Sequence, residues 1–189
     1  MQKKCELYLQ MSFFFYIFVG GIQKTDTMKT ILIAEDSERK LVEEYLPGET
    51  NILVTGVGAL NILRSLRDLP RDTELINIGY AGSANYAIGT VVEVTESRLH
   101  HPNVTYPEPT MTLQPVEDLF FRALNPKQAV CYSNTDFVLA SPFKDCVFDM
   151  ELAYICAQGF THVSAIKVVS DNLSLHDYRE LANGVEEAR

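Results

Sequence analysis

Five stretches of the chain are apolar without alternation and rich in β-branched residues: Thr30 to Ala34, Asn51 to Val54, Leu75 to Ile78, Gly89 to Val94 and His162 to Val169. A strand with one face in water alternates polar and apolar positions, so unbroken runs of this kind predict strands buried on both faces. Between several of them, apolar residues recur at helical spacing: Ser37 to Tyr45, Ala59 to Leu69 with Leu60, Leu63 and Leu66, Val116 to Leu124, and Asp149 to Gln158. Strands alternating with helices predict an α/β fold with a largely parallel sheet. Asp36 or Ser37 can cap the first helix, Pro47-Gly48 ends it and Pro70 closes the second. The segment from Pro102 to Pro115 carries four prolines and is predicted to be an extended loop. No internal repeat is visible, so residues 28–189 are expected to form one domain.

The first 27 residues follow a different pattern. Leu7 to Gln23 carries no charge, contains Phe13, Phe14, Phe15, Tyr16, Ile17, Phe18 and Val19, and is preceded by Lys3 and Lys4. This has the basic and apolar parts of a signal peptide. It is short of the ~20 apolar residues that a spanning helix needs, and no small-x-small cleavage site follows. Met28-Lys29-Thr30-Ile31-Leu32-Ile33 reads instead as a fresh start leading into a buried strand. Residues 1–27 are expected to be a disordered arm or an over-long gene start, whose Phe cluster is an aggregation or docking liability.

Composition narrows the class. A chain of 189 residues that is 47% hydrophobic has enough apolar side chain for a sizeable core, which excludes a disordered or collagen-like protein. A formal charge of −9 repels a phosphate backbone and offers no basic patch, so no nucleic-acid partner is expected. The four cysteines, Cys5, Cys131, Cys146 and Cys156, form neither a C-x-x-C pair nor a zinc spacing, and a reducing, cytoplasmic compartment suits them. No membrane partner is expected.

In an open α/β sheet, ligands bind outside the carboxyl ends of the strands. The residues that follow the apolar runs there are Ala34-Glu35-Asp36-Ser37-Glu38, Thr55-Gly56-Val57-Gly58, Gly79-Tyr80-Ala81-Gly82-Ser83 and Ser170-Asp171-Asn172. The glycines let backbone approach a ligand closely, and the acids can move protons. Each piece alone also has a structural explanation. Gly56-x-Gly58 and Gly79-x-x-Gly82 are ordinary strand-to-helix turns, and neither is a dinucleotide or phosphate-loop fingerprint. Ser170-Asp171 can cap a helix or hold a general acid whose pKa burial raises, and Asp149-Met150-Glu151 can simply start a helix at its dipole's positive end. His100-His101 has no third ligand at metal spacing, so no metal site is expected. No G-x-S-x-G elbow exists, and the cysteines beside apolar runs do not read as nucleophiles.

Taken in order, Gly56-x-Gly58, Asn77-Ile78-Gly79-Tyr80-Ala81-Gly82, Ile88-Gly89-Thr90-Val91-Val92, Phe148-Asp149-Met150-Glu151-Leu152-Ala153 and Ala165-Ile166-Lys167-Val168-Val169-Ser170-Asp171 resemble the purine nucleoside phosphorylase and nucleosidase superfamily. Within it, the sequence is most similar to the methylthioadenosine/S-adenosylhomocysteine nucleosidases. The likeness runs from Met28 to about Tyr178, with Met150-Glu151-x-Ala153 and Val169-Ser170-Asp171 its most specific parts. It implies a single-domain, three-layer α/β/α fold with a mixed, largely parallel central sheet. The implied activity is cleavage of the N-glycosidic bond of a purine nucleoside or thionucleoside, without metal or organic cofactor.

The resemblance also implies roles. Asp171 falls on the family's acid, which protonates purine N7, with Ser170 orienting it. Glu151 binds the ribose hydroxyls and steadies the positive charge that develops on the sugar, with Met150 packing on the ring. Phe137 stacks on the base and the backbone at Val138 reads its edge, while Ala81, Gly82 and Tyr80 lie in the substrate-binding stretch. The attacking water is positioned by a glutamate after the first strand, for which Glu38 and Glu35 are the candidates. His100 matches a stretch near the sugar's 5′ substituent and the subunit interface of a homodimer.

Ala34-Glu35-Asp36 stands where phosphorylases carry an arginine-bearing phosphate loop, and Asn77 and Tyr80 where other anion ligands would be, so water is expected as nucleophile. Phosphate-dependent cleavage is the enzymatic alternative. Tyr80, bulkier than the small residue expected, and the shortened loop after Asp171 motivate another, a non-catalytic nucleoside-binding protein of the same fold.

Overall fold

The computed structural model describes residues 28–100 and 110–178. The expected arm over residues 1–27, His101 and the 102–109 part of the proline-rich segment lie outside the described residues. In chain order the elements are β1 (Lys29–Ile33), a 3₁₀ turn (Asp36–Glu38), α1 (Arg39–Tyr45), β2 (Ile52–Val54), α2 (Ala59–Ser65), β3 (Glu74–Gly82), β4 (Val91–Leu99), β5 (Thr110–Thr112), α3 (Leu119–Ala123), β6 (Lys127–Ser133), β7 (Cys146–Asp149), α4 (Leu152–Cys156) and β8 (His162–Asp171). A last helical turn covers residues 175–178.

Each of the five unalternating runs is a strand, and β8 is buried at every residue after His162. Local chemistry shifts several boundaries. The first helix is entered from Glu35 through the 3₁₀ turn rather than capped by Asp36 or Ser37, because Asp36 pairs with Arg39 at 2.7 Å instead. The second helix stops at Ser65, before Pro70. Asp149 is the last residue of β7, not the first of a helix; its Oδ2 accepts the Leu152 N–H at 3.0 Å and so caps α4 from the strand. Part of the segment expected to be a loop forms β5, whose Met111 lies opposite Ser97 in an antiparallel pair with β4.

The sheet is mixed. β1, β2, β3 and β8 run parallel to one another, as do β4, β6 and β7. The two groups meet antiparallel where β8 pairs β4 and where Gly82 of β3 pairs Phe148 of β7. Five strands therefore close into a ring, β3-β8-β4-β6-β7 and back to β3, with β1 and β2 extending from β3 as an open wing. Near its end the β3–β8 register slips by one residue, from Ala81↔Val169 to Gly82↔Asp171. The extra residue is Ser170, and a bulge of this kind turns the following side chain to a new direction.

Strand alternation divides the apolar residues between two cores. Ile31 and Ile33 of β1 pack with Ile76 and Ile78 of β3, Leu41 and Val42 of α1 and Phe121 of α3. Leu32 and Leu75 face the other way, with Ile62 of α2, Leu152 and Ile155 of α4 and Val147 of β7. Each such fully buried aliphatic side chain contributes roughly 1.5–3 kcal/mol relative to exposure. No helix among the described residues is long and apolar enough to cross a membrane.

Candidate active site

A cavity of about 260 Å³ opens at the carboxyl ends of β1, β3, β7 and β8. Four buried carboxylates line it, Glu38, Glu151 and Asp171 together with Asp149 at the end of β7.

Glu38 reaches the cavity because the 3₁₀ turn folds its side chain back over the end of β1. Its Oε2 accepts the N–H groups of Ala34 at 2.7 Å and Glu35 at 3.3 Å, and its Oε1 accepts the N–H of Tyr80 at 2.9 Å. A Cβ on Gly79 would lie 2.7 Å from Glu38 Oε1, so glycine is required there by the site's own carboxylate. Burial pushes the Glu38 pKa up, against the pull of those N–H donors and of Lys167.

Asp171 is 1% exposed. The Ser170 hydroxyl donates to its Oδ2 at 2.7 Å, and the N–H groups of Leu173 and Ser174 donate to Oδ1 at 2.9 and 3.3 Å. Burial nevertheless raises its pKa. Gly82 leaves the space this carboxylate needs, since a Cβ there would sit 2.8 Å from Oδ1. Gly79 and Gly82, expected to form a strand-to-helix turn, are among the closing residues of β3 instead, and both accommodate acids of the protein itself.

Glu151 follows β7. Its Oε1 accepts the N–H of Gly58 at 2.7 Å and its Oε2 that of Met150 at 3.3 Å. Gly56 and Gly58, with φ of +83° and +86°, make the turn that presents this donor, a left-handed conformation favouring glycine. Burial and then the charge of Asp149 raise the Glu151 pKa to about 7. Beneath it, Lys167 and Asp149 form an ion pair of 2.7 Å whose side chains are 2% and 0% exposed. Asp149 also accepts the Ser133 hydroxyl at 2.5 Å.

Of the other expected site residues, Glu35, Met150, Phe137, Val138, Ser170, Tyr80, Ala81 and Gly82 all line the cavity. His100 does not. Its ring packs edge-on against Tyr132, Phe143 and Phe148, and only Phe148 of these reaches the cavity wall. Sequence reasoning missed Val57, Asp136, Asp149, Leu173 and Tyr178 as lining residues. Tyr178 stands 5.8 Å from Phe137, ring to ring, and burial and then the charges of Glu35, Glu38, Glu151 and Asp171 raise its phenol pKa. Lys167 was also missed, although a lysine within an apolar strand run must find a buried partner and could have signalled it.

The arrangement is acidic: among the described residues no Lys or Arg lines the cavity. Among the described residues no group of three or more His, Cys, Asp or Glu side chains is placed to hold a metal ion. Burial raises the thiols of Cys146 and Cys156 to about 11 and 12, which leaves them poor nucleophiles.

No family model matches the sequence, and no curated protein matches it. Solved structures do match. The MTAN of Chlamydia trachomatis superposes with a TM-score of 0.64 at 20% identity, over 85% of this chain and 90% of its own. The 5′-methylthioadenosine/S-adenosylhomocysteine nucleosidase of Neisseria meningitidis, solved with methylthio-immucillin-A, gives 0.63 at 20% identity over 86% and 96%. A futalosine hydrolase mutant from Helicobacter pylori gives 0.63 at 17% identity over 85% and 93%. The ring of strands, its open wing and the cavity at their carboxyl ends therefore belong to a chain with the fold of these nucleosidases.

Proposed function

We propose that the protein is an N-ribosyl hydrolase that cleaves the N-glycosidic bond of a purine nucleoside or thionucleoside. The observation that carries this reading is the convergence of Glu38, Glu151 and Asp171 on one small cavity that no lysine or arginine among the described residues lines. Asp171, whose buried carboxyl holds a proton more tightly than an exposed one, protonates the departing base at N7 so that it leaves neutral. Glu151, fixed by Gly58, accepts hydrogen bonds from the ribose hydroxyls and steadies the cationic sugar. Met150 packs on the sugar, Phe137 stacks on the base and Val138 reads its edge. Glu38 orients the water.

Water rather than phosphate is favoured because the backbone N–H groups at Ala34, Glu35 and Tyr80, which could cradle an anion, already hold the Glu38 carboxylate. The two cores support a single α/β/α domain, and the same reading extends to a homodimer in the cytoplasm. The test is base release from a panel of purine nucleosides, with and without phosphate, for the protein and its Asp171→Asn variant. Release without phosphate that the variant loses is the expected result. Release only with phosphate makes the protein a phosphorylase, and nucleoside binding without release makes it a non-catalytic binder.

A further inference from the structure

Lys167 is a buried cation beside the site that takes no part in the proposed proton and water chemistry. Lys167 lies in the middle of β8, four residues before the acid, with its side chain 2% exposed and outside the cavity lining. An ammonium is costly to bury, and the stem of a lysine is long enough to reach solvent from many positions, so a fully buried one must be held by partners. Its ion pair is Asp149 Oδ2 at 2.7 Å, and Asp149 in turn accepts the Leu152 N–H and the Ser133 hydroxyl. Ser133 Oγ accepts the N–H of Ala153 at 2.8 Å, so β6, β7, β8 and α4 are tied together at this one point. Glu151 sits between Asp149 and that helix, in the loop the network holds.

The charges do not cancel locally. Three carboxylates, Glu38 from the 3₁₀ turn, Asp149 from β7 and Glu151 from the start of α4, share the field of Lys167, and Cys131 of β6 faces it as a neutral thiol whose pKa burial raises. The geometry points to Lys167 as a positioning residue of this site: it offsets the Asp149 charge beside Glu151 and favours the ionised, hydrogen-bond-accepting forms of Glu151 and Glu38. This inference rests on the hydrolase reading for its kinetic consequence, but not for its electrostatic one.

Removing the ammonium alone leaves the Asp149 charge uncompensated beside Glu151, and both effects hold the proton on Glu151 to higher pH. Removing the ammonium and the Asp149 charge together takes away one influence of each sign. A merely structural lysine has no reason to show this pattern. The experiment compares wild type, Lys167→Arg, Lys167→Met and the double variant Lys167→Met/Asp149→Asn. Two readouts are followed: the pH profile of base release, and the titration of the glutamate carboxyl carbons by NMR.

In Lys167→Met the Glu151 titration and the acidic limb of the profile move to higher pH, by roughly tenfold in rate near pH 6 for each unit of movement. Lys167→Arg keeps the wild-type limb, and the double variant returns towards it. A folded Lys167→Met protein with wild-type titration and profile overturns the proposal. If Lys167→Met does not fold, Asp149→Asn decides, since it keeps the ammonium and removes the opposing charge: a Glu151 titration moved to lower pH supports the proposal and a wild-type titration overturns it. Absence of any base release by the wild type defeats the hydrolase reading instead, and the carboxyl titrations alone then decide the role of Lys167.

Discussion

The two ends of the sheet carry two cavities of contrasting character. At the carboxyl ends the space is about 260 Å³ and three of its acids are buried and partnered: Glu38, Glu151 and Asp171 each accept backbone N–H groups. At the amino ends a larger space of about 550 Å³ is bordered by Lys29, Glu74 and His162, the first residues of β1, β3 and β8. There the charged groups lie at the rim, and Lys29 pairs with Glu49 rather than facing inwards. Size does not separate the two. The presence of acids withdrawn from water and oriented by fixed donors does, because only such groups have protonation states that a small ligand can exploit.

Four experiments probe that contrast, beginning with the largest effect. Asp149→Asn leaves the Lys167 ammonium buried without its carboxylate, and loss of one partner of such a pair costs about 3–5 kcal/mol, to be read from chemical denaturation. Asp171→Asn keeps the shape of the site but removes the acid. Its kcat is expected to fall by at least about 10²-fold, equivalent to about 2.7 kcal/mol, with little change in Tm.

Glu151→Gln tests burial through pH. The folded-state pKa of Glu151 is about 7 against an ordinary 4.5, so the folded protein holds a proton that the unfolded chain releases. Stability from this group is therefore full below about 4.5 and is lost as pH rises towards 7, over the window between those values. The Gln variant lacks that loss, and thermal melts should show wild type falling relative to it by about 1–3 kcal/mol across the window. Glu74→Gln, at the rim of the larger cavity, is expected to change stability by less than about 0.5 kcal/mol and to leave base release unaltered. A large kinetic effect of Glu74→Gln would erase the distinction between the two ends.

Legibility in the sequence followed the same division. β1, β3 and β8 could be read because both faces are buried and their runs are unbroken. β6 could not, since it begins with exposed Lys127 and Gln128 and then alternates. β7 escaped because it is four residues long and its last one, Asp149, looks like a helix start until Lys167 is seen to hold it. Eleven of the expected site residues line the cavity: those at the carboxyl ends of β1, β3 and β8 were legible from topology, whereas Met150, Glu151, Phe137 and Val138 were legible only through the family resemblance. Asp136 comes from a loop and Tyr178 from the last helical turn, both placed by tertiary contacts, and His100 is drawn aside by an aromatic cluster that no local pattern announces.

The closing strand has a consequence for biosynthesis. β8 is bonded on one side to β3 and on the other to β4, both made much earlier on the ribosome. Until residues 162–171 emerge, those two strands present unpaired edges that invite association with other chains, and the pairing that ends this exposure spans a long separation and is correspondingly slow. Asp171 is the final residue of that strand. A nascent chain therefore cannot complete its ring without having synthesised its acid, and a chain cut short before β8 lacks both at once.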